Sequence, residues 1–365
     1  MGLFSSHDGP VMKAFSFASG QSVLPPSVVA ELCRDLAEWR DSGLSLLELP
    51  FTHADFGDLL AQAQSDLRAL LGLSESYRVL FLQGGASAQF GLLPMNLLGS
   101  KTGVDYVETG HWSRRAMAAA AAWCDVHVVA QGDGVSLPAT WHLSADPAYC
   151  HLTTNETAEG LQFHHIPETG DVPLVADMTA DFLTRPIPVE RFGLIYASAQ
   201  KNLGVAGLTI VVLNAKLLGR ARHGVPAPFN YTLQADAGSR INTPPTFAIA
   251  VAAKMLTWLK ANGGLESVGA GNARKSAKLY AAIDADGFYQ CPVQPQDRSL
   301  LNVRFHLPTL HLNTMFLEES EAHGFLHLQG HPSIGGIRVS LYNAVPEEAV
   351  DALIVFMDDF RRRRG

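Results

Sequence analysis

The residue in this chain best placed to do chemistry is a lysine in apolar surroundings. Between Gly193 and Leu213, two apolar, β-branched runs flank a short polar turn holding Gly204 and Gly207, and Lys201 is the only charge in the stretch. The runs read as buried strands. A lysine fixed between buried strands is costly in its charged form, and a neutral amine is a nucleophile toward aldehydes, the chemistry of a Schiff-base lysine. Taken alone, such a lysine is more often structural. A second candidate is Gln83-Gly-Gly-Ala-Ser87, which follows the apolar run Val79-Leu-Phe-Leu82 and precedes a helical stretch from Gln89 to Leu98. A strand, a glycine turn and a helix start offer free backbone N–H groups and a positive dipole end to a phosphate, although such turns are also common for backbone reasons alone.

The wider context of the lysine narrows these readings. Ala197-Ser-Ala-Gln-Lys-Asn-Leu-Gly204, followed by Asn242-Thr-Pro-Pro-Thr-Phe247, resembles the phosphoserine aminotransferase family, pyridoxal-phosphate (PLP) enzymes of fold-type I, class V. The resemblance runs in register from Phe15 to Arg363, through Tyr77-Arg-Val-Leu-Phe81, Asn155-Glu-Thr157, Gly335-Gly-Ile-Arg338 and Leu341-Tyr-Asn-Ala344. It implies a PLP-dependent transaminase with Lys201 carrying the cofactor and Asp177 beside the pyridine nitrogen. Keeping that nitrogen protonated makes the ring an electron sink, and a strand-end carboxylate without a positive partner would be costly to bury. The resemblance further implies that Trp112 stacks on the ring, that Thr157 meets its phenolic oxygen, and that Ala86, Ser87 and Gln200 grip the phosphate. Asn242 and Thr243 complete that grip from the other subunit of a homodimer with shared active sites. Arg338 is the expected clamp for the substrate α-carboxylate, since a guanidinium pairs bidentately with a carboxylate and every amino donor and 2-oxo acid acceptor carries one. Ser19 matches a substrate-contacting serine.

One part of the pattern is broken. The family binds the distal anion of its substrate with a His-Arg pair after the first helix and a second His-basic pair near the C-terminus. Here Phe51 and Thr52 stand at the first pair, and His331 is followed by Pro332. Losing two charge-assisted hydrogen bonds costs on the order of a hundredfold in affinity. His53 and Arg240 are the candidates to restore a cation, against bland roles as a loop histidine and an interface ion pair. Three readings follow: phosphoserine aminotransferase activity in serine biosynthesis; a paralogous aminotransferase for a non-phosphorylated amino or oxo acid, turning phosphoserine over weakly; or a non-catalytic PLP-binding protein.

The elements that must position these residues alternate. Strand and helix patterns follow one another from residue 79 to about 250, which implies an α/β fold with a mostly parallel sheet, helices on both faces and a ligand site at the carboxyl ends of the strands. The resemblance makes that sheet seven-stranded and adds a smaller α/β C-terminal domain. Residues 1–14 read as a flexible lead, 15–261 as the large PLP-binding domain and 262–365 as the small one, with the N-terminal segment packing on it. Within these, helices are expected over residues 27–40, 55–71, 247–261, 271–284, 313–323 and 347–363.

Composition excludes other classes. With 47% hydrophobic residues and a net charge of −8, the chain carries neither a nucleic-acid footprint nor an anionic-membrane one, and no apolar run reaches about 18 residues. Cys33, Cys124, Cys150 and Cys291 lack metal-site spacing and read as reduced, mostly buried thiols, so a cytoplasmic enzyme without a metal is expected. The run Arg361 to Arg364 reads as the cationic end of a helix rather than a binding patch.

Overall fold

The computed structural model describes residues 14–365, so all but the last residue of the expected lead lies outside the described residues. The chain begins with β1 (Phe15–Ser16), α1 (Pro26–Ala37) and α2 (Ala54–Leu71). Alternation then sets in: β2 (Tyr77–Gln83), α3 (Ala86–Leu97), β3 (Gly103–Glu108), α4 (His111–Ala120), β4 (Asp125–Gln131), β5 (Cys150–Thr153), the hairpin strands β6 (Asn155–Glu156) and β7 (Leu161–Gln162), β8 (Leu174–Asp177), β9 (Leu194–Ser198) and β10 (Leu208–Asn214). Helices α5 (Tyr231–Asp236), α6 (Thr246–Ala261) and α7 (Gly264–Ile283) lead to β11 (Asn302–Phe305), α8 (Leu310–Ala322), β12 (Phe325–Leu326), β13 (Ile337–Ser340) and α9 (Glu347–Arg364).

Seven strands form one sheet in the order β2-β10-β9-β8-β5-β3-β4. Only β10 runs against its neighbours β2 and β9, so six strands deliver their carboxyl ends to the same edge. Side chains of β2, β9 and β10 alternate between faces. Val79, Phe81, Ile195, Ala197, Ile210 and Val212 pack under α1, α2 and α6, whereas Leu80, Leu82, Leu194, Tyr196, Val211 and Leu213 pack under α3, α4 and α5. On α2, Leu59, Leu60, Ala63, Leu67 and Leu71 are buried.

A second core forms around Phe316, whose ring meets those of Phe305, Phe356 and Phe360 at centroid distances of 5.8, 5.3 and 5.2 Å. Phe17, fully buried there, draws in the N-terminal segment, and β1 pairs in parallel with β12. Burying such a side chain contributes about 2–3 kcal/mol. Helix α7 starts at Gly264, seven residues before the expected start, because Leu265 anchors its first turn in the first core while Leu279 and Ile283 reach the second. The four terminal arginines pair with Glu319, Asp286, Asp358 and Asp359, as the end of a solvated helix should. Of the cysteines only Cys150 is buried; Cys33 faces outward because α1 turns Val28 and Leu32, not Cys33, to the core.

Candidate active site

A cavity of about 260 Å³ opens at the carboxyl edge of the sheet. It gathers ten of the residues singled out in the sequence: Ala86 and Ser87 after β2, Trp112 after β3, Thr157 after β5, Asp177 at the end of β8, and Gln200 and Lys201 after β9, with Ser19, His331 and Arg338 from the second core. The register explains the floor. Thr153 lies opposite Asp177 and Asp177 opposite Tyr196, so the ends of β5, β8 and β9 stand side by side.

Lys201 sits half-buried in the turn after β9, and its Nζ donates to Thr157 Oγ1 at 2.7 Å while standing 5.9 Å from the centre of the Trp112 ring. Gly20 lets the N-terminal segment run over the lysine: at φ +144°, a Cβ there would come within 3.7 Å of the Lys201 stem. Asp177 is buried, and its Oδ1 accepts the Thr179 N–H at 2.9 Å. Burial pushes its carboxyl up, against the pull of the Thr179 bonds and of Lys201. Tyr196 stands beside it, with its hydroxyl 3.0 Å from His151 Nε2, and burial drives that imidazole down to about 3.

Trp112 is held from below. Glu156 accepts the N–H groups of Trp112 at 2.9 Å and Ser113 at 2.8 Å, and Glu159 accepts that of His111 at 2.7 Å, so two buried carboxylates satisfy the orphan donors of α4. Both carboxyls are raised, burial first and then, for Glu156, the Glu159 charge. Gly110 is required here because a Cβ would lie 2.4 Å from the Glu159 carboxylate.

The wall opposite comes from the second core. Arg338 Nη2 donates to Ser19 Oγ at 2.7 Å and Nη1 to the Thr157 carbonyl at 3.4 Å. The Tyr342 hydroxyl donates to the Ser19 carbonyl at 3.1 Å, and Asn343 ties Asn202, next to Lys201, to Asn272 of α7. The Leu341-Tyr-Asn-Ala344 motif thus joins the two cores. Beneath it, Lys275 Nζ donates to the carbonyls of Leu341, Tyr342 and Val345 at 2.9–3.2 Å.

Four sequence candidates lie outside this cavity. Asn242 Nδ2 donates to Gln83 Oε1 at 3.1 Å, and the Thr243 carbonyl accepts from the same glutamine. His53 caps α2, accepting the Asp55 N–H at 3.3 Å. The Arg240 guanidinium reaches the same helix, its Nη1 4.0 Å from where a Cβ on Gly57 would stand. Phe51 packs against the first core instead of walling the cleft. Cavity-lining Thr153, Asn155 and Thr179 were missed, being unremarkable in type and spacing. So were His111 and Arg115, whose four-residue spacing puts them on one face of α4.

The donor set fits a flat ring bearing a phosphate at one end and a basic nitrogen at the other. Gly85 at the start of α3 has no side-chain cap, which leaves the first helix N–H groups free for an anion. At the other end the buried carboxylate of Asp177 is short of a cation.

A lysine in the turn after a sheet strand, an acid at the neighbouring strand end and an arginine from a second core are the layout of an aminotransferase. Residues 14–353 match the aminotransferase class-V family, and the chain belongs to it. Within that family its relatives are phosphoserine aminotransferases. The one from Laribacter hongkongensis is 47% identical over 97% of this chain and 100% of its own. The structure of the phosphoserine aminotransferase of Bacillus circulans subsp. alkalophilus superposes with a TM-score of 0.95 at 40% identity, over 97% of this chain and 99% of that one. The PLP-bound phosphoserine aminotransferase of Trichomonas vaginalis does so with a TM-score of 0.92 at 35% identity, over 95% and 100%.

Proposed function

We propose that this protein is a PLP-dependent, cytoplasmic phosphoserine aminotransferase, interconverting 3-phosphohydroxypyruvate and L-glutamate with O-phospho-L-serine and 2-oxoglutarate in serine biosynthesis. The convergence of Lys201, Asp177 and Arg338 on one cavity carries the chemistry, and the full-length identity to phosphoserine aminotransferases supports the substrate. No helix among the described residues is long and apolar enough to cross a membrane.

PLP, when bound, supplies the electron sink that stabilises charge at the substrate Cα. Lys201 would hold the cofactor and, as a free amine, would move the proton at the substrate Cα as base and then as acid. Asp177 keeps the pyridine nitrogen protonated. Trp112 would cover one face of the ring, Thr157 would meet the phenolic oxygen, and the N–H groups of Ala86 and Ser87 with Gln200 would take the phosphate. Arg338, already aligned by Ser19, binds the α-carboxylate and so fixes the Cα–H bond relative to Lys201. Asn242 and Thr243, too far from this chain's own cavity to line it, serve the partner's site in a homodimer. The domain division at residues 261 and 262 belongs to the same reading.

Mixing the PLP-loaded protein with O-phospho-L-serine and following its visible absorbance tests the proposal. Rapid loss of the band and its return with 2-oxoglutarate are expected. Lys201→Ala should slow turnover by about a thousandfold or more. Bleaching by phosphoserine no more efficient than by alanine would remove the proposed substrate.

A further inference from the structure

The missing distal-anion cations leave a question that the mouth of the cleft answers. His331 lines the cavity, and its ring lies 4.3 Å from that of His111 and 6.5 Å from that of Trp112. The Arg115 guanidinium stands 5.4 Å from the Trp112 ring centre, one helical turn beyond His111. We propose that His331, His111 and Arg115 of the same chain form the distal anion subsite, taking over from the absent His-Arg pair and the absent basic partner of His331. This rests on the phosphoserine reading above, and it deepens that reading by naming which side chains receive the phosphate or the distal carboxylate.

The two neighbouring arginines of α4 behave differently. Arg114 is occupied by Glu108 and Glu159, each at 3.4 Å, whereas Arg115 has no carboxylate partner among the described residues. The ring of His111 likewise makes no hydrogen bond among them. The Ser333 N–H donates to His331 Nδ1 at 3.3 Å, which assigns Nδ1 as acceptor and leaves Nε2 to carry the proton and donate. Glu159 accepts the His111 N–H and an Arg114 N–H through Oε1.

Electrostatics agrees with the geometry. Burial lowers both imidazoles, and positive neighbours lower them further: His331, Arg115 and Arg114 for His111, and Arg338 and Arg115 for His331. Both imidazoles are thereby held in the neutral form beside the Arg115 charge, and an incoming anion favours their protonated, donating form. Arg338 and His331 both line the cavity, which suits a substrate with two anionic groups.

The test is the specificity ratio, kcat/KM for O-phospho-L-serine over that for L-alanine, measured with the PLP-loaded enzyme. His111→Ala and Arg115→Gln should each lower the ratio about tenfold to a hundredfold, as expected for the loss of a charge-assisted contact. Arg115→Lys should recover part of it, and competition by inorganic phosphate should weaken in parallel. Because Arg115 is exposed, its variants test the idea even if His111→Ala fails to fold. An unchanged ratio in the Arg115 variants, or a ratio that falls only in His53→Ala or Arg240→Ala, overturns the inference and leaves the proposed function standing. A wild type with no preference for phosphoserine removes both, and shows it before any variant is made.

Discussion

The floor and the outer wall of the cleft are built on different principles. The floor is set by sheet registry, which puts Asp177 at the end of β8 between the all-buried strands β5 and β9, with Thr157 just past β6 and Lys201 in the short turn after β9. The wall, with Ser19, His331 and Arg338, belongs to a second core assembled from both ends of the chain. Floor residues are therefore held by backbone pairing and wall residues by packing between cores. A site divided in this way can keep its cofactor chemistry fixed while the substrate side changes, and Pro332, next to His331, falls on the substrate side, whereas Phe51 packs against the first core.

Replacing Arg338 by Leu should sharpen that contrast most. Removing the guanidinium deletes two or three charge-assisted bonds to the α-carboxylate, so kcat/KM should drop about a thousandfold for phosphoserine, glutamate and alanine alike. The visible band of the bound cofactor should stay in place. A lost band would mean that wall and floor are not separable.

Lys275→Met attacks the junction instead. Three carbonyls that now share one ammonium would lose their donor, and a cost of about 2–3 kcal/mol is expected in denaturant unfolding, with KM raised because the strand carrying Arg338 is loosened. Unchanged stability would mean that the Leu341 to Val345 segment is held by packing alone.

The smallest effect concerns the floor and depends on pH. His151 has a native pKa near 3 against an ordinary 6.5. Below pH 6.5 the unfolded chain takes up a proton that the native protein refuses, so stability from this group is complete above 6.5 and declines as pH falls toward 3. Relative to a His151→Phe variant, the wild type should lose on the order of 2 kcal/mol between pH 7 and pH 5. Parallel curves for the two proteins over that range would show that His151 is protonated in the native floor.

Much of the floor was legible in the sequence because strand, turn and helix signals are local. The apolar runs beside Lys201, the Gly-Gly-Ala-Ser turn before α3 and the acid ending β8 each declared a position at a strand end, and the matching family pattern joined them into one site. The wall resisted such reading. Ser19 and Arg338 lie 319 residues apart yet hydrogen bond, a contact that no local pattern encodes and that the burial of Phe17 in the second core brings about. Helix boundaries failed for a similar reason at α7, where a glycine-rich start is overruled by the anchoring of Leu265 in the first core.

The distal pocket shows the division most plainly. Sequence alone determined that three of the four expected anion-binding side chains are missing and offered His53 and Arg240 as candidates to restore a cation. Only the tertiary structure decided that His53 caps its own helix and that Arg240 lies against α2, outside this chain's cavity, while the His111 ring of α4 meets that of His331 and Arg115 stands over the Trp112 ring. The reason is geometric: charge is counted along the chain, but an anion is bound by whichever cations packing brings within a few ångströms of it.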